Sequence, residues 1–339
     1  MENVLLYILL SVLKIVVVLS IAMTSVPIMV WVERKVSARI QNRHGPLYVG
    51  PFGLLQPFAD VAKLLLKEDV IPTEADEVLY VLSPLMAFVP ALLTFAVIPF
   101  GPHLSIADIN IGIVYVLSIS SLGVYGLVMA GWSSNNKYAL LGGLRSAAQM
   151  ISYELTLGLS IIGVLMYSRS LSMVKIVESQ AGLWFIVPQF LGFVLFLVAA
   201  FAETNRLPFD LPEAEQELIA GYHVEYSSLK FALFFLAEYV AMLSASCLIV
   251  TLFFGGWLAP PFIGSAIEGL LPEIVVLYLM PLVWFLAKVA VFMFFFVWVR
   301  WTFPRLRYDQ LMNLGWKVLL PLAILNIFIS GIIKMTGIF

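Results

Sequence analysis

The sequence predicts an all-α, polytopic membrane protein of eight transmembrane helices with cytoplasmic amphipathic helices, and three observations carry that prediction. Hydrophobic residues make up 62% of the 339, charged residues only 12%, and mean hydropathy is +1.00, an apolar surplus that no soluble core absorbs. Apolar runs long enough to cross roughly 30 Å of hydrocarbon recur eight times, at 5–32, 80–99, 111–132, 147–167, 185–202, 231–254, 275–299 and 316–333. Finally, the cations alternate in side. The loops after the odd-numbered spans hold fourteen Lys and Arg, among them Arg34, Arg39, Arg43, Arg145, Arg206, Lys230, Arg300 and Arg305, while the opposite side holds three, Arg169, Lys175 and Lys334. By the positive-inside rule both termini lie outside and the basic loops inside. No internal repeat or long linker divides the chain, so 1–339 is expected to be one membrane domain.

Composition also narrows function. A formal net charge of −2 leaves no basic footprint for nucleic acid. The three histidines, His44, His103 and His223, all fall outside the apolar spans, which excludes paired haem ligation within the bilayer, and a single cysteine, Cys247, cannot hold an iron–sulfur cluster. Any electrons must therefore come from a partner. Glu2 stands where a cleaved signal peptide would carry cations, so the first span is expected to be a retained anchor.

After span 1 comes the longest inner loop, 33–79. Its first part, WVERKVSARIQNRHGP, carries Arg34, Lys35, Arg39 and Arg43 beside Glu33 and breaks at Gly45 and Pro46. Charge alone fits either a functional segment or a lipid-anchoring one. In 51–68, polar Gln56, Asp60, Lys63 and Lys67 recur at steps of four, three and four among apolar residues, the pattern of an amphipathic helix lying in the interface.

Span 4 carries a polar stripe, Arg145, Gln149, Ser152, Thr156 and Ser160, with Glu154 about half a turn away. A helix polar on two faces cannot face lipid. Glu154, Glu238 in span 6 and Lys288 in span 7 lie roughly 14, 11 and 17 Å from the inner ends of their helices, and are expected to meet near the midplane. Such groups usually mark ion paths, although Glu238 paired with Lys288 would also serve as a packing device. Lys14, nearer the outer end of span 1, is placed to snorkel outward.

Between spans 5 and 6, residues 201–226 read FAETNRLPFDLPEAEQELIAGYHVEY. Six carboxylates, Glu203, Asp210, Glu213, Glu215, Glu217 and Glu225, share this stretch with one basic residue, Arg206. Like charges this dense raise each other's pKa and share protons. A solvated acidic loop is the ordinary alternative, but Pro208 and Pro212 stiffen the stretch and apolar residues thread through it.

WVERKVSARIQNRHGP, FGLLQPFADVAKLLLKED, GGLRSAAQMISYE, AETNRLPFDLPEAEQELIAGYHVEYSS, LFFLAEY and WVRWTFPRLRYDQLM together resemble, in order, the signature segments of the H-type subunit family of bacterial NADH:quinone oxidoreductase, called subunit 1 in mitochondrial complex I. The resemblance extends from about Val30 to about Leu320. It implies a multi-pass subunit of the bacterial cytoplasmic (inner) membrane that couples quinone reduction to proton pumping. Expected partners are the peripheral iron–sulfur arm, the proton-pumping membrane subunits and lipid, with ubiquinone or menaquinone as substrate and no flavin, haem, iron–sulfur cluster or metal on this chain. By motif match, Glu33, Arg34, Arg39, Arg43, Asp60, Glu203, Arg206 and Asp210 would line the quinone chamber. Glu154, Glu213, Glu215, Glu217, Glu225, Glu238 and Lys288 would serve proton coupling. Related subunits of membrane-bound hydrogenases, deazaflavin-dependent dehydrogenases and the photosynthetic enzyme share much of this pattern. From other classes, a secondary transporter would show two similar halves, and a purely structural anchor would not carry buried charge at such cost.

Overall fold

The computed structural model describes residues 2–102, 104–213, 215–261, 272 and 275–336; His103 lies outside them. Every regular element among these residues is helical. Seven helices are long and apolar enough to cross a membrane, so the chain is a multi-pass membrane protein. The eighth expected span, 185–202, is a 14-residue apolar helix, α7 in the order below (Phe190–Glu203). Its first residues are turns instead, because Pro188 disfavours helical backbone at Val187.

Helix α1 (Glu2–Ile40) does not stop where the apolar run ends. It continues through Glu33, Arg34 and Arg39, since no breaker intervenes before Asn42 takes a left-handed turn at φ 53°. The expected helix at 51–68 is shorter, α2 (Gln56–Leu66). Ahead of it the chain folds back so tightly that a Cβ on Gly53 (φ 77°) would meet the Pro46 carbonyl at 2.2 Å. Asp60 and Leu64 of α2 face the protein, while Phe58, Val61 and Leu65 are exposed, the arrangement of a helix resting on lipid.

Asp76 caps α3 (Glu77–Leu93) by accepting from the Leu79 amide. Against α3 lies α4 (Gly112–Ser133), close enough that a Cβ at Gly126 would sit 2.6 Å from the Ala87 nitrogen, the small-residue packing of membrane helices. Asn136 caps α5 (Lys137–Ser168), which begins ten residues before the apolar run at 147. The short α6 (Met173–Glu178) is capped by Ser172, which also donates to Asp108 at 2.9 Å. Lys14 reaches the same region and donates to the Ser105 carbonyl at 3.2 Å, as its place in span 1 suggests.

After α7 and the brief α8 (Glu215–Leu218) comes α9 (Ser228–Phe253). Its apolar window is 72% buried, against 22–50% for the other six, which makes it the central helix. A π-helical turn at Val275–Leu279 leads into α10 (Met280–Thr302). A second joins α11 (Tyr308–Asn313) to α12 (Leu320–Met335).

Candidate functional site

The loop that follows α7 is held in place by uncharged groups before any charge acts. Gln149, on the polar stripe of α5, donates to the carbonyls of Ala202 and Phe209, each at 2.8 Å, and to Asn205 Oδ1 at 3.2 Å. Ser152, Thr156 and Ser160 of the same stripe are also buried. Tyr153 packs its ring against Phe209 and donates to the Leu311 carbonyl at 2.9 Å, and the Leu306 amide donates to the Pro208 carbonyl at 3.2 Å. At the far end of the loop, a Cβ on Gly142 would strike the Tyr222 nitrogen at 2.6 Å, so only glycine lets residues 221–222 lie on α5.

This scaffold draws together charges from four parts of the chain. Arg206, 2% exposed, places Nη1 3.1 Å from Glu33 Oε2 and Nε 3.3 Å from Glu238 Oε1. Its guanidinium lies 4.2 Å from the centre of the Tyr239 ring. Tyr239 in turn donates to Glu33 Oε2 at 2.6 Å, and Arg300 donates to Glu33 Oε1 at 2.6 Å. Arg305 holds Asp210 Oδ2 at 2.8 Å. Glu33, Arg206, Glu238 and Arg300 thus form one buried network in which each charge faces an opposite one, the condition under which ions persist away from water, with the Arg305–Asp210 pair nearby on the same loop.

Protonation within the loop follows from burial. Asp210 is pushed up to about 6 by burial, which outweighs Arg305, with Glu238 adding to the rise. Glu213 lies well above the usual carboxylate range because of burial and its neighbours Glu238 and Asp210. Burial also pushes His223, whose Nδ1 lies 3.9 Å from Glu213 Oε1, down to about 4. Arg206 stays cationic: burial opposes its charge, but Glu238, Tyr239 and Glu33 outweigh it.

The remaining expected residues divide by place. Arg34 pairs with Asp60 on a more exposed face. Arg39 and Arg43 line an open pocket with Lys35, Asn42 and His44, and Arg43 Nε donates to Gln41 at 2.7 Å. Glu217 pairs with Arg145 at 2.7 Å, and Glu225 accepts from Asn136 at 2.6 Å; both stand apart from the buried network. The side chain of Glu215 lies outside the described residues. Glu203 lies beside Ser120 and within electrostatic reach of the half-buried Glu154. Glu203 and Glu238 open onto a common, mostly apolar cavity of about 100 Å³.

The expected meeting of Glu154, Glu238 and Lys288 does not occur. Lys288 donates to the carbonyls of Phe254, Gly256 and Leu258 at 2.6–2.9 Å and lies 4.4 Å from the Trp184 ring centre. Those carbonyls stand at the C-terminal end of α9, sixteen residues and about 24 Å along the helix from Glu238. Carbonyls left unpaired at a helix end attract a cation, and Glu238 is already held by Arg206. Sequence reasoning also left out Arg300, Arg305 and Tyr239. The spacing in WVRWTFPRLRYD and the tyrosine beside Glu238 in LAEY were the available signals.

Fold and site together define a polytopic α-helical membrane protein that encloses an ionic network built from α1, α9, α10 and the loop after α7. A sequence model of the family described as NADH dehydrogenase matches residues 13–331, and the chain belongs to that family. It is 48% identical to the second H-type subunit of NADH-quinone oxidoreductase from Koribacter versatilis, covering 98% of this chain and 99% of that one. Identity is 50% with the first H-type subunit of NADH-quinone oxidoreductase from Geobacter metallireducens, covering 95% of each. With NADH-ubiquinone oxidoreductase chain 1 of Chondrus crispus it is 51%, covering 95% of this chain and 96% of the other.

Proposed function

We propose that this chain is the membrane subunit of a proton-translocating NADH:quinone oxidoreductase that forms the quinone chamber and passes the effect of quinone reduction toward proton pumping. The observation that carries this reading is the buried connection from Glu33 through Arg206 to Glu238, which runs from the inner end of α1 to the cavity between the helices. Relatives named as subunits of NADH-quinone oxidoreductase over nearly their whole length support it.

Reduction of a quinone takes two electrons, supplied by a partner, and two protons. In this reading Arg34, Arg39 and Arg43 stand at the mouth and stabilise developing negative charge on the head group, as preorganised donors do. The isoprenoid tail lies along the exposed apolar side of α2. Asp210 Oδ1 and Arg206 Nε and Nη2 are buried without a protein hydrogen-bond partner among the described residues, unspent hydrogen-bonding capacity beside the place this reading gives the head group. Asp210 and Glu213, one titrating near 6 and the other above the usual range, exchange protons as the head-group charge changes. Glu238, adjacent to both and to Arg206, hands the charge shift to the cavity and Glu203. Glu154 extends the acidic path beyond Glu203, whereas Glu217 and Glu225 pair with Arg145 and Asn136 away from it and Lys288 serves as an anchor at the far end of α9.

The partners in this reading are the peripheral iron–sulfur arm and the pumping membrane subunits, with lipid around α1 and α2. The location is the bacterial inner membrane, with both termini outside. Extraction in mild detergent tests it: flavin and iron–sulfur subunits co-purify with the chain, whereas isolation alone as an active transporter contradicts the proposal.

A further inference from the structure

Arg206 is 2% exposed, yet only one of its three guanidinium nitrogens makes a hydrogen bond among the described residues. Nη1 donates to Glu33, at 3.1 Å to Oε2 and 3.4 Å to Oε1, longer than the roughly 2.7–2.9 Å usual between a cation and a carboxylate. Nε lies 3.3 Å from Glu238 Oε1 without being aligned for a hydrogen bond, and Nη2 has no partner. A guanidinium offers a carboxylate two forks, Nη1 with Nη2 at its end and Nε with Nη2 along its side. Nη2 belongs to both. Arg206 therefore stands between a two-bond pair with Glu33 and a two-bond pair with Glu238, and completes neither. Buried donors left unbonded are costly, so a competing contact has to hold the forks open.

That contact is found on Glu33. Arg300 Nη1 donates to its Oε1 and the Tyr239 hydroxyl to its Oε2, each at 2.6 Å, so both oxygens that the end fork of Arg206 would use are taken at short range. The two donors differ in kind. Arg300 alone already balances the charge of Glu33, whereas Tyr239 is neutral and adds nothing to that balance. Tyr239 follows Glu238 directly in the sequence, and its ring centre lies 4.2 Å from the guanidinium of Arg206. One side chain thus supports Arg206 on the face of its ring and withholds an oxygen of Glu33 from it.

We propose that Tyr239 is a positioning residue for Arg206: its hydroxyl, by occupying Glu33 Oε2, keeps the guanidinium shared with Glu238 instead of closed on Glu33. Without the hydroxyl, Nη1 and Nη2 close on Glu33, Nε withdraws, and Glu238 loses the one cation that faces it among the described residues. The consequence for turnover rests on the reading of Glu238 given above; the place of Arg206 does not.

Tyr239→Phe tests this in the whole complex, because it keeps the ring and removes only the hydroxyl. The resting parent and variant complexes are compared by cryo-electron microscopy, and quinone reductase kinetics are measured per assembled complex. In the variant, Nη1 and Nη2 of Arg206 are expected at about 2.7–2.9 Å from the two oxygens of Glu33, with Nε beyond about 4 Å from Glu238. The kcat should fall about tenfold, the loss of one hydrogen bond to a charged group, while KM for quinone stays at the parent value. A tyrosine that only fills space would lower the melting temperature or the yield of complex without moving Arg206. Arg206 found in Tyr239→Phe where it lies in the parent would overturn the proposal. If the variant fails to assemble, the parent structure decides: Arg206 already forked on Glu33 with the Tyr239 hydroxyl still bonded to that carboxylate would overturn it equally. A displaced Arg206 with unchanged kcat would uphold the positioning role and count against Glu238 as the link to turnover, so the two readings fail separately.

Discussion

Glu33 and Arg206 are 173 positions apart in the chain, yet they form an ion pair at 3.1 Å with both side chains almost entirely buried. The pair ties the C-terminal end of α1 to the loop after α7, and Tyr239 of α9 joins it through the ring that lies under Arg206 and the hydroxyl that donates to Glu33. Removing the arginine leaves two carboxylates, Glu33 and Glu238, short of a cation. Loss of one partner from a buried pair costs about 3–5 kcal/mol. Arg206→Ala is therefore expected to lower the amount of assembled complex on native gels severalfold, and Arg206→Lys to restore it partly, since lysine supplies charge without the planar fork.

Asp210 gives a prediction in pH. Its folded-state value, about 6, lies above the ordinary 3.8, so between those values the folded protein holds a proton that the unfolded chain has released. Its contribution to stability is fully present below pH 3.8, falls as pH rises toward 6, and is absent above; the whole effect is at most about 3 kcal/mol. A protonated-carboxyl infrared band should disappear with a midpoint near pH 6 in the parent and be missing in Asp210→Asn. A parent spectrum without that band at pH 5 would contradict the assignment.

Lys288 separates anchoring from coupling. Lys288→Met keeps the apolar stem but leaves three carbonyls at the end of α9 unpaired, each at a cost of about 1–3 kcal/mol. The complex should melt at a lower temperature while the ratio of protons moved to quinone reduced stays at the parent value. A changed ratio at unchanged stability would place Lys288 on the proton path.

Much of this architecture is legible in the sequence. Apolar runs located all seven long helices because hydrocarbon thickness sets a minimum length, and the polar stripe on α5 correctly marked a buried face. Glu33, Arg206, Asp210, Glu213 and Glu238 were all singled out, and the fold gathers them. What sequence cannot give is which helices are neighbours. Depth along one helix put Glu238 and Lys288 at similar heights, but the long lysine side chain reaches toward the carbonyls at the C-terminal end of α9. Counting cations by side treated Arg300 and Arg305 as ordinary interface charges, although the fold turns both inward onto Glu33 and Asp210. The beginning of α7 was misjudged because Trp184–Val187 is apolar in composition while Pro188 shapes its backbone.

Arg43 tests the chamber mouth. It lines an open pocket with Lys35 and Arg39 and is not part of the buried network. Arg43→Ala should lower quinone reductase activity about tenfold, the loss of one charge-assisted contact, and leave NADH oxidation by an artificial acceptor unchanged, because the proposed function assigns that chemistry to partner subunits. Full quinone reductase activity in an assembled variant would remove Arg43 from the chamber.

The central claim is that Glu238, between Arg206 and the cavity, links quinone reduction to proton movement. The most direct measurement is acidification of inverted membrane vesicles recorded beside NADH:quinone turnover in Glu238→Gln, with assembly checked on a native gel and Glu178→Gln, exposed at the end of α6, as the control. The account predicts that Glu238→Gln assembles and loses pumping and quinone reduction together, by tenfold or more each on the scale of about 1.4 kcal/mol per decade, while Glu178→Gln changes neither. An assembled Glu238→Gln complex that pumps and turns over like the parent would show that the buried charges only fix helix packing.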